Sequence, residues 1–144
     1  MAGSVYSGMS DLVTASIRVV HPEDQSAGTA QTVGSQRKAA IPGALGVASG
    51  MWAGTFLVEA GAKTGIHHHG AQETVVYVLA GEALVRWGER GEQSATVRVG
   101  DFVHVPAWVA HQEINPSATE AFRWVVVRST PEPIVVNLPD AVWE

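Results

Sequence analysis

The sequence contains no cysteine and relatively little charge. Without cysteine, the chain has neither disulfide bonds nor thiolate ligands, so any bound metal must use nitrogen or oxygen ligands. Charged residues make up 16% of the 144 residues, below the usual fraction of about 25%. The net charge of -5 argues against nucleic acid and anionic membranes as partners. No apolar run approaches the ~20 residues of a membrane span, and the first residues do not resemble a signal peptide, so we expect a cytoplasmic protein.

Helical periodicity is also missing, whereas short β-rich runs recur. Gly, Pro and Asn separate the runs MWAGTFLVEA, ETVVYVLAG, EALVRWG, ATVRVG, DFVHVP, AFRWVVVR and PIVVNLP. Residues 13–20 predict a first strand, residues 21–35 a linker, and GERGEQ at 88–93 a hairpin turn. We predict an all-β, antiparallel sandwich or barrel in residues 41–144, preceded by an arm and first strand in residues 1–40.

The strand ETVVYVL is apolar on both faces. Thr74, Val76 and Val78 share one face, while Val75, Tyr77 and Leu79 share the other. A strand with water on one side alternates apolar and polar residues, so something must cover the second face. The N-terminal segment, a second sheet or another subunit could do so, and we predict a homodimer formed through this sheet.

Three consecutive histidines in GIHHHGAQETVVYVLAG are candidates for metal binding. Alternate residues of a strand point to one face, so His67 and His69 can hold one ion while His68 points away. A solvated loop is the other interpretation of such a cluster. Metal binding is favoured because GDFVHVPAWVAHQEIN, residues 100–115, supplies a second group of histidines.

These two segments resemble the paired motifs of small single-domain cupins. Glycine, histidine and glutamate match the first motif at Gly61, His67, His69, Glu73 and Gly81. The second motif is matched by Gly100, Pro106, His111 and Asn115, with Trp108 in place of the usual glycine. The resemblance implies a cupin fold, a jelly-roll β-sandwich, with a central metal held by His67, His69, His111 and usually a glutamate.

The position of that glutamate is ambiguous. Counting forward from His69 assigns it to Glu73, but counting back from Gly81 assigns Thr74 to the ligand position. A shift of one residue moves a side chain to the opposite face of the strand. We expect Glu73 to point away from the metal, unless a bulge at the strand start lets it reach back.

His104 is the alternative fourth ligand. Comparison with cupins suggests that the face of the strand carrying Phe102 and His104 looks into the barrel, whereas a lone histidine in a core is more often bonded to a backbone carbonyl. Four neutral imidazoles at His67, His69, His104 and His111 favour zinc, with nickel or cobalt as alternatives, whereas a carboxylate in the set favours iron. A closed structural zinc site is a further alternative.

Phe102 and Trp108 are the candidate lining of a substrate pocket over the metal. No convergent basic pair is evident near the motifs, where Arg86 and Arg123 are the nearest cations. We therefore expect a small, apolar, carbonyl-rich substrate and a Lewis-acid metal that stabilises an enolate.

The two histidine segments are also similar to the small cupin cyclases of bacterial aromatic polyketide pathways, including the resistomycin type. The resemblance implies aldol cyclisation and aromatisation of a poly-β-ketone in antibiotic biosynthesis, with Glu73 or a metal-bound water as the catalytic base. Two alternatives remain: a cupin dioxygenase with iron, nickel or manganese held by three histidines and Glu73, and a small-molecule-binding cupin without catalysis.

Overall fold

Ten short strands account for most of the regular structure in the described part of the chain. The computed structural model describes residues 16–144. In chain order, the strands are β1 Gln36–Ile41, β2 Trp52–Val58, β3 His67–His68, β4 Thr74–Ala80, β5 Ala83–Trp87, β6 Gln93–Val97, β7 Phe102–Val105, β8 His111–Ile114, β9 Phe122–Arg128 and β10 Val136–Asn137. They form two antiparallel sheets, ordered β1-β2-β9-β4-β7 and β10-β3-β8-β5-β6. The all-β fold predicted from the sequence is confirmed.

The predicted hairpin is present, but the first strand of the described residues does not lie at residues 13–20, where it was predicted. β5 pairs with β6 across residues 88–92, so the turn predicted in GERGEQ is confirmed. Of the first strand predicted at 13–20, residues 13–15 lie outside the described part and residues 16–20 have no regular structure. Among residues 16–144, β1 is the first strand instead; in it Arg37 and Ala39 are buried, while Gln36 and Lys38 are exposed. β1 also lies across the boundary predicted after residue 40.

Helical structure in residues 16–144 is limited to two short 3-10 turns, Pro22–Asp24 and Asp140–Trp143. None of the helices described is long and apolar enough to cross a membrane.

The two faces of β4 have different surroundings. Thr74, Val76 and Val78 are buried on the side facing the second sheet, as expected for the core side of a sandwich. On the outer side, Val75, Tyr77 and Leu79 remain 42%, 38% and 44% exposed. The second sheet therefore covers only one of the two apolar faces, and a homodimer through the other face stays a prediction.

The interior changes from apolar to polar along the strands. Along the inner face of β9, Phe122 and Trp124 pack with Phe56, at ring-centroid separations of 5.0–5.9 Å. The same face ends in a buried Arg128, which lies opposite Thr74 of β4. One end of the sandwich is therefore an aromatic core, and the other is a buried polar region that contains the histidines.

Candidate metal centre

Three buried histidines converge between the sheets. His67 in β3 is the register partner of His111 in β8, with ring centroids 4.4 Å apart. His69 is 5.2 Å from the first ring and 5.4 Å from the second. Each residue offers a nitrogen atom, and these atoms all lie within 4.8 Å of one another. Such a group can hold a metal ion.

Backbone carbonyls fix the orientation of all three rings. Nδ1 of His67 donates to the carbonyl of Gly65, and Nδ1 of His111 donates to that of Val109, each at 2.9 Å. The third ring, that of His69, donates to Ile134 at the same distance. Each Nδ1 therefore carries the proton, which leaves each Nε2 unprotonated and able to bind a metal, although that of His67 also lies 3.3 Å from Nη2 of Arg37. Hydrogen bonds of this kind typically orient metal-binding histidines.

His68 has a different role from its neighbours. Its Nδ1 accepts a hydrogen bond from the backbone N–H of Gly70 at 2.9 Å, and its side chain is only partly buried. It is outside the group of three converging histidines. Its predicted orientation away from the centre agrees with this placement.

A carboxylate that the sequence interpretation overlooked lies beside the histidines. Glu113 follows His111 by two residues on β8, and its Oε2 is 3.3 Å from Nε2 of that ring. Its Oε1 is 3.6 Å from Nε2 of His67 and accepts a hydrogen bond from the hydroxyl of Thr64 at 3.1 Å. These two distances place the carboxylate next to two of the three histidines, although Glu113 lies outside the group whose ligand atoms are all within 4.8 Å of one another.

The protonation states also suit metal binding. Burial lowers the pKa of His67 to about 3 and, together with the charge of Arg128, that of His69 to about 2. Burial alone would raise the pKa of Glu113. The positive charge of neighbouring groups, including Arg37, lowers it by a larger amount, so the net pKa is well below its usual range. Neutral imidazoles and an ionised carboxylate are the forms that bind divalent ions.

Glu73 and His104 lie outside the barrel. They form an exposed pair, with Nε2 of His104 2.6 Å from Oε1 of Glu73. Glu73 precedes the inward Thr74, so alternation along the strand turns its side chain outward. The expectation that Glu73 points away from the metal agrees with this structure. Its assignment as catalytic base does not agree with the structure, because its carboxylate is on the exposed side of the sheet and the histidines are buried on the inner side.

The inward orientation predicted for Phe102 and His104 is wrong. On β7, Val103 and Val105 are half-buried and face the second sheet, whereas the two residues alternating with them are exposed. Burying apolar valine instead of a polar imidazole explains this choice of face. His104 therefore cannot be the fourth ligand in this structure.

Thr74 occupies the ligand position that the count from Gly81 predicted. It is 3% exposed, and its Oγ1 has no hydrogen-bond partner among the described residues. A threonine thus stands inside the barrel where a glutamate was expected from the cupin motif. The buried carboxylate nearest the histidines, that of Glu113, lies on the opposite sheet.

Two arginines are buried in the same polar region. Arg37 is 2% exposed, and its Nη2 lies 3.3 Å from Nε2 of His67. Arg128, also 2% exposed, lies with its guanidinium 4.4 Å from the ring of Trp52. The sequence interpretation found no convergent basic pair, and this was wrong. The two arginines named from the sequence lie outside this region. Nε of Arg86 donates a hydrogen bond to the carbonyl of Gly91, and Arg123 is exposed.

Two adjacent cavities lead to the centre. The inner cavity, about 20 Å³, lies against His69, His111, Glu113, Thr74, Trp124 and both buried arginines. The outer cavity, which we call the apolar cleft, is about 280 Å³; its lining is mostly apolar but includes His104, together with Val85, Trp87, Val97, Phe102, Val103, Val105 and Val109, among others. Both cavities share Val105 and His111, so the cleft opens beside the metal centre.

Of the two predicted pocket residues, Phe102 contributes to the cleft and Trp108 does not. Phe102 lies on its rim and is 73% exposed. Trp108 is 65% exposed, with its ring 5.8 Å from that of His68. Its φ of 68° lies in the left-handed region, which explains why the cupin motif usually has glycine at this position.

Three observations indicate the same protein family: the paired sheets, the inward histidines and a match to a family model. The Cupin domain model matches residues 54–128, which include all three histidines. The chain belongs to the cupin family. Among solved structures, this cupin is similar to oxalate decarboxylase from Bacillus subtilis, both at pH 4.6 and as a variant lacking residues 162–163, with a TM-score of 0.65 and 20% identity.

The structural match is partial. It covers 76% of this chain and 29–30% of the decarboxylase chains, so the protein spans less than a third of their length. One matching structure with the same score concerns Mn(II) centres of that decarboxylase. At this level of identity the similarity establishes the fold alone. Among curated proteins, no sequence matches the chain.

Proposed function

We propose that this cupin is a metal-dependent enzyme of the dioxygenase type, with iron or manganese held by three histidines and Glu113. The observation that carries the proposal is the position of Glu113, whose two oxygens lie 3.3 and 3.6 Å from Nε2 of His111 and His67. This replaces Glu73, the carboxylate named from the sequence, by one that faces the centre. A carboxylate beside imidazoles suits iron or manganese, whereas four neutral imidazoles would favour zinc, which also accepts carboxylate ligands.

The surrounding residues support catalysis over a purely structural metal site. A structural zinc site is usually closed by four protein ligands, whereas here a cavity reaches the histidines and the apolar cleft adjoins it. When bound, iron or manganese would supply open coordination positions for a substrate and for redox chemistry. The chain's own part is to fix the three rings, to provide the carboxylate, and to exclude bulk water with the half-buried Val103 and Val105.

The experiment is metal reconstitution followed by spectroscopy. Purified protein is stripped of metal and loaded with ferrous iron without oxygen, and nitric oxide is then added. A high-spin iron–nitrosyl signal in electron paramagnetic resonance, lost in Glu113→Ala and kept in Glu73→Ala, supports the proposal. Tight zinc binding with no iron binding, or a signal unaffected by Glu113→Ala, contradicts it.

A second candidate is the polyketide cyclase suggested by sequence resemblance. The apolar cleft favours it, since Trp87 and several valines line a volume close to the lower end of ligand pockets, about 300 Å³. In that case Glu113 takes the role of catalytic base from the outward Glu73. Adding the protein to a minimal polyketide synthase and comparing the products tests this candidate. An unchanged product pattern counts against it.

A further inference from the structure

The inner cavity contains more buried positive charge than its one carboxylate can balance. Arg37 and Arg128 are both 2% exposed, and neither has a carboxylate oxygen within 4.0 Å among residues 16–144. Glu113 is the single buried acidic group lining the cavity. A divalent ion at the histidines would add further positive charge. Buried charges are costly unless they are paired, so this region is suited to an anionic ligand.

Unused hydrogen-bond donors point the same way. Nε of both arginines and Nε1 of Trp124 are buried and have no partner among the described residues. The hydroxyl of Thr74 is unpartnered as well. All four residues line the inner cavity. Buried polar groups in folded proteins normally have partners, so several orphan donors around one cavity indicate an acceptor-rich ligand.

The strand register places these donors on the inner face of one sheet. On the inner face of the first sheet, Arg37 is paired with Phe56, which in turn is paired with Trp124. Two inward-facing rows further along, four residues away on β2 and on β9, Trp52, Arg128 and Thr74 are register partners. Each guanidinium lies over an aromatic ring, Arg37 at 4.7 Å from Phe56 and Arg128 at 4.4 Å from Trp52. The aromatic contacts hold the cations in place without neutralising them.

We propose that this centre takes an organic carboxylate whose head group lies between the two buried arginines. This inference rests on the proposed metal enzyme and names the substrate class of the same site. The inner cavity, about 20 Å³, accommodates a head group and no complete organic molecule. The apolar cleft borders this cavity at Val105 and His111, so we expect the body of the ligand to extend past these two side chains into the cleft, which makes the ligand apolar beyond its carboxylate.

The class of substrate expected from the sequence changes accordingly. A neutral, carbonyl-rich molecule was expected because no basic pair was evident. With Arg37 and Arg128 at the inner end and valines at the outer end, an amphiphilic acid such as an aryl or alkyl carboxylate fits better. Arginine recognises a carboxylate through paired, charge-assisted hydrogen bonds, which favours it over a neutral carbonyl.

Calorimetric titration of the protein as purified tests the proposal, with benzoate, benzamide and inorganic phosphate as probes. Benzoate and benzamide have the same shape and differ in charge. We expect benzoate to bind at least about tenfold more tightly than benzamide, as one or two charged hydrogen bonds require. Equal binding of the two, or tighter binding of phosphate than of benzoate, would overturn the proposal.

Variants locate the binding and separate this inference from the proposed function. Arg128→Gln should lower benzoate affinity about tenfold or more, while Arg123→Gln, on the exposed face of the same strand, should leave it unchanged. Equal benzoate affinity in both variants would overturn the proposal. If Arg128→Gln does not fold, the benzoate–benzamide comparison still tests it.

Metal content is measured in parallel. Metal present without benzoate preference removes the carboxylate inference alone, and benzoate preference in protein that binds no metal removes the metal enzyme alone.

Discussion

Glu113 and His111 lie two residues apart on one strand, with Oε2 of the carboxylate 3.3 Å from Nε2 of the imidazole. Because side chains two apart share a face, the strand that supplies a histidine to the centre also supplies a carboxylate. In the proposed centre, this pair would set both the ligand charge of the site and the choice of metal.

Glu113→Gln tests this role against an equivalent change at Glu73. Glutamine keeps the size of the side chain and the acceptor for Thr64, but removes the charge. We expect metal affinity to fall by about tenfold or more in Glu113→Gln, as removal of groups that support a metal site typically does. Glu73→Gln, on the exposed surface, should bind metal as wild type does. Competition with a chromogenic chelator measures both, and equal affinities would be incompatible with Glu113 at the centre.

Asn115 is predicted to stabilise the fold through its buried side-chain amide. Its side-chain amide donates to the carbonyls of Val58, Glu59 and Glu120 at 2.8–3.2 Å, and the residue is 3% exposed. Asn115→Ala removes these hydrogen bonds, although the carbonyl of Glu59 still accepts one from the N–H of Ala62, so we expect the free energy of unfolding to fall by roughly 2–3 kcal/mol.

Urea denaturation followed by tryptophan fluorescence measures the effect of Asn115→Ala. Asn137→Ala is the control, since its amide makes a single exposed hydrogen bond to the carbonyl of Gln31. It should cost less than about 1 kcal/mol. If the free energy of unfolding falls no more in Asn115→Ala than in the control, the buried amide does not stabilise the fold as predicted.

Trp108 carries backbone strain that glycine would relieve. Its φ of 68° costs an L-residue about 1–2 kcal/mol, part of which glycine regains at some cost in unfolded-state entropy. Comparing Trp108→Gly with Trp108→Ala removes the ring in both and isolates the backbone term. We expect the glycine variant to be more stable, by up to about 1 kcal/mol, in chemical denaturation. A more stable alanine variant would contradict a left-handed conformation here.

The outer face of β4 is predicted to form a homodimer interface. Val75, Tyr77 and Leu79 are exposed there, and Tyr77 packs on Phe102 of the neighbouring strand at a ring separation of 5.0 Å. Light scattering after gel filtration should give twice the mass of the chain. Leu79→Lys should give a monomer because it places a charge in the interface, whereas Val33→Lys, at a residue 83% exposed elsewhere, should stay dimeric. A monomeric wild type would refute the prediction.

The histidines could be predicted from the sequence because their spacing is local. His67 and His69 differ by two positions, and the two motifs identify His111 without any knowledge of the packing. Glu113 was within reach of the same reasoning, since it follows His111 by two residues in a strand. It was missed because the motif directs attention to the carboxylate after His69.

The arginines and the face of β7 depend on long-range pairing. Arg128 meets Thr74 only because β9 pairs with β4, more than 50 positions apart in the chain. Arg37 lies in a strand that begins directly after the segment interpreted as a linker. In FVHV, both alternations contain apolar residues, so the pattern alone could not determine that the valines face inward.

Anomalous X-ray diffraction, at the absorption edge of the metal found in the purified protein, tests the metal centre most directly. We predict one strong peak about 2.0–2.2 Å from Nε2 of His67, His69 and His111 and from one oxygen of Glu113. A peak at the exposed pair of Glu73 and His104, or one bound by the three histidines with Glu113 beyond bonding distance, would contradict the proposed centre.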